Sequence, residues 1–468
     1  MNSYWENDRK NYKNYECIDE NMQTEICVIG GGIAGLSIAY YLSQNAHVTI
    51  LEKDRICNRT SAKNTGKITS QHGLFYDYLI NSQNKEFAKK YLEANQKAID
   101  NIENIVKLEN IDCGFKREKA YVFTNNIEEL KKIKKEVNSI NQINNEICNY
   151  CNKIDLPLAC KGAIEFKNQA KFNPLKYCYG LAEAINKYGG NIFEKSQVEN
   201  ITKEADKYVI DVNGKKVIAK IVVLATRYPI LNFPGYYFLK MYQSTSYAMV
   251  FDCKQKLFDG MYINAEVPSI SFRTIEEKNR KLLLAVGYDY KTGKPSENGY
   301  NELIKIVKSM YPGAVVLSKW TAEDCISLDK IPYIGEYSNI MKNLYVATGF
   351  NKWGITTSNI AAQIITDKIL DKDNKYEDIF KSTRLKPIKN KEELSNMIEE
   401  ANKSIVISRL VNTKVQPTCT HLGCKLYFNQ IEDIWECPCH GSKFTYDGKC
   451  IEAPSNKNFE LNEKNDIM

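Results

Sequence analysis

Histidine is nearly missing from this chain: four in 468 residues, at His47, His72, His421 and His440. Two of them stand near the carboxy terminus beside cysteine, so only His47 and His72 remain for other histidine chemistry. Also missing is a long apolar run unbroken by glycine. The most apolar stretch, ICVIGGGIAGLSIAYYL from Ile26, is interrupted by glycines, which argues against an integral membrane segment. The first twenty residues, MNSYWENDRKNYKNYECIDE, are polar and lack the apolar centre of a secretory signal, so a cytoplasmic protein is expected. Strong charge of one sign is absent too: 64 basic against 57 acidic residues leave +7, scattered and mostly Lys. That reads as a solvated surface and argues against a nucleic-acid or acidic-membrane role. An apolar content of 43% is ordinary for a globular protein, and the length implies two or three domains.

Cysteine, by contrast, is plentiful, with fifteen in all. Ten are spread singly over the first 400-odd residues without regular spacing, as expected of buried or half-buried free thiols. Five cluster after Thr418, in CTHLGC and CPCHGSKF and at Cys450. Cys419 and His421 are one residue apart and Cys437 and His440 two, so each of two loops offers one thiolate and one imidazole. Such a set suits zinc or a [2Fe–2S] centre in which two histidines hold one iron. Zinc sites of this composition usually pair Cys with Cys and His with His. Here each loop supplies one of each, so that one iron can take both cysteines and the other both histidines.

This pattern resembles the Rieske family, and CTHLGC and CPCHGS look like the two cluster-binding loops of its cytochrome-complex branch. The resemblance covers roughly the last sixty residues and implies Cys419, His421, Cys437 and His440 as cluster ligands. It also implies a disulfide between Cys424 and Cys439 tying the loops together. The stretches GSKF, DGKC and EAP continue the family's glycine turns and proline loop, and Cys450 stands where an apolar residue is more usual. A Rieske oxygenase would need a further iron held by two histidines and a carboxylate. Only His47 and His72 are left, and His47 opens a strand of the nucleotide domain, so that reading is excluded. Cytochrome-complex membership fails for want of a membrane anchor.

At the amino-terminal end, Thr24 to Ile29 reads as an apolar strand, GGGIAGLS as a glycine turn, Leu36, Ala39, Tyr40 and Ser43 as a helical pattern, and His47 to Leu51 as a second strand ending in Glu52. Gly30, Gly32 and Gly35 fit G-x-G-x-x-G, and Glu52 lies where a carboxylate reaches ribose hydroxyls. The helix N-terminus suits a pyrophosphate. NAD and FAD both use this unit.

The rest of the chain resembles the flavin amine and amino-acid oxidase superfamily related to D-amino-acid oxidase and glycine oxidase (DAO), over about residues 22 to 372. RTSAKNTGKITSQHG resembles its flavin-contacting loop, IVVLATRYPI the strand returning to the nucleotide domain, and CISLDKIPYIG with LYVATGFNKWGITTSNIAAQIITDKI its closing strand, glycine turn and final helix. The resemblance implies FAD, contacted by Gly30, Gly32, Gly35, Glu52, Lys53, Gly66, Val198, Ala225, Thr226, Gly349, Gly354 and Ile355. Lys67 and His72 are candidates for a positive charge and a hydrogen-bonding group near the reacting ring, and His72 for a covalent flavin link. Arg273 is a candidate carboxylate-binding residue, while Tyr236, Tyr237, Tyr242 and Tyr247 read as half-buried structure that could line a pocket.

The expected fold is α/β plus a small all-β unit: a Rossmann-type FAD domain (about 22–75, 160–232 and 325–372) interleaved with a mixed-sheet substrate domain (76–159 and 233–324), together spanning 1–372. A Lys-, Asn- and Glu-rich linker over 373–405, with a helix at 391–402, leads to the Rieske domain at 406–468. Helical spacing is expected over 84–109 and 127–141, a capped helix from Asn173 and Pro174, and strands at 119–124, 245–251 and 281–287. A flavin takes two electrons and releases one at a time, so its tethering to a one-electron centre implies an oxidoreductase for a small amine or amino-acid-like substrate that passes electrons singly to the cluster. The rival is a non-catalytic adaptor or redox sensor relaying electrons between a reductase and a partner. Either implies an unidentified electron-donor or acceptor protein.

Overall fold

A computed structural model describes residues 2–277, 280–294, 298–384 and 417–460. The strand Met22–Ile29 runs parallel to Val48–Leu51 on one side and Lys215–Leu224 on the other, Ile29 standing beside both Leu51 and Leu224. Its last residues are buried on both faces, as its unbroken apolar run requires of a central parallel strand. The eight-stranded sheet continues outward through Asn191–Phe193 at one edge and Leu344–Thr348 and Tyr333–Glu336 at the other. The helices Ile33–Ser43 and Gly354–Ile369 share its core through Leu36, Ile38, Ile360 and Ile364.

A second, nine-stranded sheet orders Val315–Ser327, Met241–Asp252, Arg280–Lys291, Ile270–Glu277, Met261–Asn264, Lys116–Thr124, Gly162–Lys171 and Lys67–Ile68, with Cys148–Cys151 paired to Gly162–Lys171. Gly162–Lys171 was expected within the nucleotide-binding segments, and the structure corrects this. Its Ile164 and Phe166 are buried in one core with Ile133, Val137 and Ile140 of the helix Ile127–Asn141, which ties the strand to the second sheet. The long helices at Lys85–Leu108, Ile127–Asn141 and Pro174–Lys187 lie where periodicity places them, each with an Asn cap (Asn84, Asn126, Asn173) accepting from the first turn.

A further expectation changes. Residues 373–384, read as linker, lie against the oxidoreductase body: Ile379 and Phe380 are buried, and Arg384 pairs with Asp329 at 2.6 Å over the Tyr333 ring. The polar start of the chain is likewise anchored, because Trp5 is buried with its Nε1 donating to the Asn64 carbonyl. The helix expected at 391–402 lies outside the described residues. All ten scattered cysteines are free thiols, though Cys17 is exposed rather than half-buried.

The carboxy-terminal unit is a four-stranded antiparallel meander, Tyr427–Asn429, Ile434–Glu436, Lys443–Thr445 and Cys450–Glu452. It is fastened to the larger body by buried ion pairs. Lys443 lies between Glu323 at 2.9 Å and its own sheet's Glu436 at 3.1 Å, all three nearly inaccessible. Glu452 accepts from Arg59 at 3.0 Å and Arg227 at 2.8 Å.

Removing one partner strands buried charge, so Lys443→Met should cost about 3–5 kcal/mol and lower the melting temperature. Burial alone would raise the Glu323 carboxyl, but Lys443, then Lys63 and Arg227, overcome it and hold its pKa below the ordinary 4.5. A depressed carboxylate gives stability that is present above its unfolded pKa and lost as the pH falls through the folded one. The wild-type melting temperature should therefore drop on acidification below about pH 4.5, and the Lys443→Met protein should show a shallower drop.

Candidate functional site

A cavity of about 730 Å³ is walled by both sheets and by the meander. Its floor is the glycine turn. Gly30, at φ +107, sits so close to the neighbouring strand that a Cβ would lie 2.7 Å from the Ala225 carbonyl oxygen. A Cβ on Gly35 would lie 1.8 Å from the Gly30 oxygen, so only glycine lets the helix start this near the strand. Glu52 lines the cavity and accepts from the N–H groups of Gly31 and Asp54 at 2.7 and 2.9 Å. Gly32, Lys53, Val198, Ala225, Thr226, Gly349, Gly354 and Ile355 also form its wall, whereas Gly35 and Gly66 stand behind it. The space, the glycine cradle and the carboxylate at the strand end together fit an FAD-sized dinucleotide.

The three proposed substrate residues separate. Lys67 lines the cavity, its Nζ donating to Ser271 Oγ at 2.9 Å and the Tyr262 carbonyl at 3.3 Å. Burial, with Arg273 nearby, brings its pKa down to about 7. His72 is behind the wall, stacked on the cavity residue Trp353 at 4.7 Å. Its Nε2–H donates to the Thr69 carbonyl at 3.0 Å, which leaves Nδ1 to accept from the Tyr91 hydroxyl at 2.7 Å. Burial keeps the ring neutral, with its pKa pushed down to about 3. Both nitrogens are thus engaged, which speaks against a covalent link through this ring. Arg273 is buried away from the cavity, its Nη1 donating to the Gly66 carbonyl at 2.8 Å and its guanidinium lying over Trp5. In place of a substrate carboxylate it holds the turn that presents Lys67. Tyr236, Tyr237, Tyr242 and Tyr247 are not among the cavity-lining residues.

Sequence reasoning missed Asp289, Asp324 and Lys352 on the same wall. Lys352 pairs with Asp289 at 2.9 Å, and burial raises Asp324 to about 6 against the pull of Lys352 and Arg227. No local pattern marks these residues, which come from three distant segments. Also missed was the meander's share of the cavity: Cys450, Glu452 and the run Ala453 to Asn458 line it, and Lys53 Nζ reaches the Ile451 carbonyl at 3.0 Å.

At the other end of the meander the two loops converge. Cys424 and Cys439 are disulfide-bonded. Cys419 and Cys437 are buried free thiols in mutual hydrogen-bond contact. That bond, aided by Ser442 and the N–H groups of His421 and Leu422, brings Cys419 down to about 7, and the same contact holds Cys437 well above its usual range. The rings of His421 and His440 lie 5.1 Å apart and nearly perpendicular, and the Nδ1 atom of each is buried without a hydrogen-bond partner. Burial keeps both neutral, at about 4 and about 3. Two orphaned imidazole nitrogens beside two thiols are the donor set a [2Fe–2S] centre with mixed ligands takes.

Comparison with known proteins agrees with this geometry. The sequence matches the family FAD dependent oxidoreductase (DAO) over residues 25–368 and the Rieske [2Fe-2S] domain over 386–463. The chain belongs to the DAO family of FAD-dependent oxidoreductases and carries a carboxy-terminal Rieske [2Fe–2S] domain. Its cofactors are accordingly FAD and a [2Fe–2S] cluster. It is 30% identical to the Rieske 2Fe-2S iron-sulfur protein YhfW of Bacillus subtilis (strain 168), over 97% of this chain and 96% of that one. It is 22% identical to the gamma-glutamylputrescine oxidoreductase of Escherichia coli (strain K12), over 78% of this chain and 88% of that one. Among solved structures, glycine oxidase from Geobacillus kaustophilus shares the fold with a TM-score of 0.64 at 18% identity, covering 77% of this chain and 99% of that one. Among the described residues, no helix is long and apolar enough to cross a membrane.

Gly35→Val should leave purified protein with little or no FAD, measured as flavin absorbance released on denaturation, while the iron and sulfide content stays near that of the parent.

Proposed function

We propose that the chain oxidises a small amine or amino-acid-like substrate in the cavity and passes the electrons singly from FAD to the Rieske cluster. The observation that carries this reading is the shared wall: the glycine turn and the meander's 449–458 segment border one cavity, so the unit bearing the cluster loops is packed against the flavin site. Bound there, FAD supplies two-electron oxidation of an organic donor, and the cluster supplies one-electron transfer. Cys419, Cys437, His421 and His440 would hold the cluster, and the glycine turn, Glu52 and the wall residues named above the flavin. Relatives named for glycine and for gamma-glutamylputrescine support an amino compound as substrate.

The cavity's own groups fit that class. Asp289 and Asp324 offer carboxylates to an ammonium group, and Trp353, Phe350 and Ile263 offer apolar surface to its carbon chain. Lys67, poised near neutrality, sets the local charge: protonated, it repels a cationic substrate, and neutral, it does not. The free thiols of the oxidoreductase half support a reducing, cytoplasmic setting, and a separate redox protein would complete the circuit.

Anaerobic mixing of the holoprotein with amines, N-methyl amines and amino acids tests the reading, with flavin absorbance and the cluster's electron paramagnetic resonance followed together. One compound should bleach the flavin and then bring up the Rieske signal. Bleaching without that signal sinks internal transfer, and bleaching by a reductase alone favours a relay without substrate chemistry. With a substrate in hand, KM should fall as the pH rises through about 7, and Lys67→Met should remove that limb.

A further inference from the structure

The histidine edge of the Rieske unit is largely covered, with His440 buried and His421 half-exposed. It meets a segment of the oxidoreductase half, residues 232–243, and the fit is specific. His421 Nε2 lies 2.9 Å from Asn232 Oδ1, which can only accept, so this nitrogen carries the proton. The Phe238 ring stands edge-on to both imidazoles, at 6.5 and 6.1 Å. Gln243 Nε2 donates to the carbonyls of His440 at 2.7 Å and Ala453 at 2.9 Å. A Cβ on Gly441, at φ +80, would lie 2.6 Å from the Gln243 side chain, so the neighbour of His440 is a glycine where the two halves press together.

The segment is itself held firmly. Tyr337 donates to the Leu231 carbonyl at 2.8 Å and accepts from the Gly235 N–H, and Tyr237 donates to the Tyr337 carbonyl at 3.1 Å. It then runs to Met241, whose sulfur is 3.8 Å from Cys325 Sγ and 3.7 Å from Thr348 Oγ1, both on the cavity wall. One short stretch therefore touches the histidine edge through Asn232, Phe238 and Gln243 and two cavity-lining residues through Met241.

We propose that this segment is a clamp on the histidine edge, in which Asn232 fixes the His421 ring through its Nε2–H, the Phe238 ring standing against both imidazoles, and sets the reduction potential of the cluster. The clamp rests on the reading that these rings ligate iron through Nδ1, the nitrogen each leaves unpartnered. An acceptor on the far nitrogen fixes the tautomer and makes the ligating nitrogen a better electron donor, which favours the oxidised iron. Weakening the acceptor raises the potential, and a negative acceptor lowers it. Asn232 is thus a positioning residue that acts through His421.

The test uses the full-length holoprotein at fixed pH 7, with the cluster potential read by titration under electron paramagnetic resonance. Asn232→Leu should shift the potential upward and Asn232→Asp downward, each as a several-fold change in the reduced-to-oxidised ratio at a fixed applied potential. Asn232→Asp keeps the side-chain shape, so its downward shift alone decides the matter should the Leu variant fail to load a cluster. A merely structural role moves both variants the same way or neither, and either of those results overturns the clamp. A parent protein with iron but no Rieske signal overturns the ligand assignment, and the clamp with it. A normal parent signal with unmoved variant potentials overturns the clamp alone.

Discussion

The arrangement depends on buried ionic contact across the join between the two halves. Lys443 comes from the meander and Glu323 from the second sheet, and neither can be left in the interior without the other. Glu452, opposite Lys443 on the next strand, repeats the device with Arg59 and Arg227. Such pairs are weak sources of net stability, because desolvation consumes most of their attraction. They are strong sources of specificity, since any shifted docking strands a charge. The meander is therefore held in one place and one orientation, with its 449–458 edge in the cavity and its histidine edge on the 232–243 segment.

That fixed placement gives the glycine turn a wider role than nucleotide binding. The approach of Gly35 to the Gly30 carbonyl draws the first helix down onto the sheet, and the tight fit of Gly30 on Ala225 brings the Thr226–Arg227 corner to the cavity rim. Arg227 then reaches Glu452 of the meander, and its own carbonyl accepts from Thr348 of the closing strand. Close backbone packing at the first motif of the chain thus determines where a side chain meets the last domain.

Much of this was legible in sequence wherever the signal is local. The βαβ unit, the helices capped by Asn84, Asn126 and Asn173, and the two Cys–His loops each declare themselves within a few residues. Gly162–Lys171 was placed in the wrong sheet because a strand's own alternation shows which faces are buried and not which neighbour it pairs with. Residues 373–384 looked like linker because their composition is polar, yet two apolar side chains, Ile379 and Phe380, suffice to seat them. Arg273 looked like a substrate residue on family likeness, and its actual partners are backbone carbonyls that no pattern advertises. Asp324, Lys443 and Asn232 were invisible for a shared reason: each matters through residues on other segments, Lys352 and Arg227 for Asp324, Glu323 for Lys443 and His421 for Asn232.

The two histidines of the cluster site are not equivalent in this construction. His440 is buried beneath Phe238 with its backbone tied to Gln243, whereas His421 is half-exposed between Asn232 and the outward-facing Leu422. A freely moving carrier would gain from two accessible rings, since it must meet donor and acceptor by the same edge. Here the flavin-binding half is covalently attached and packed against the meander, so one ring, His440, is given wholly to the interior. The other, His421, is left partly exposed. Division of the histidine edge into an inner and an outer ring is the geometric counterpart of placing a two-electron and a one-electron centre in a single chain.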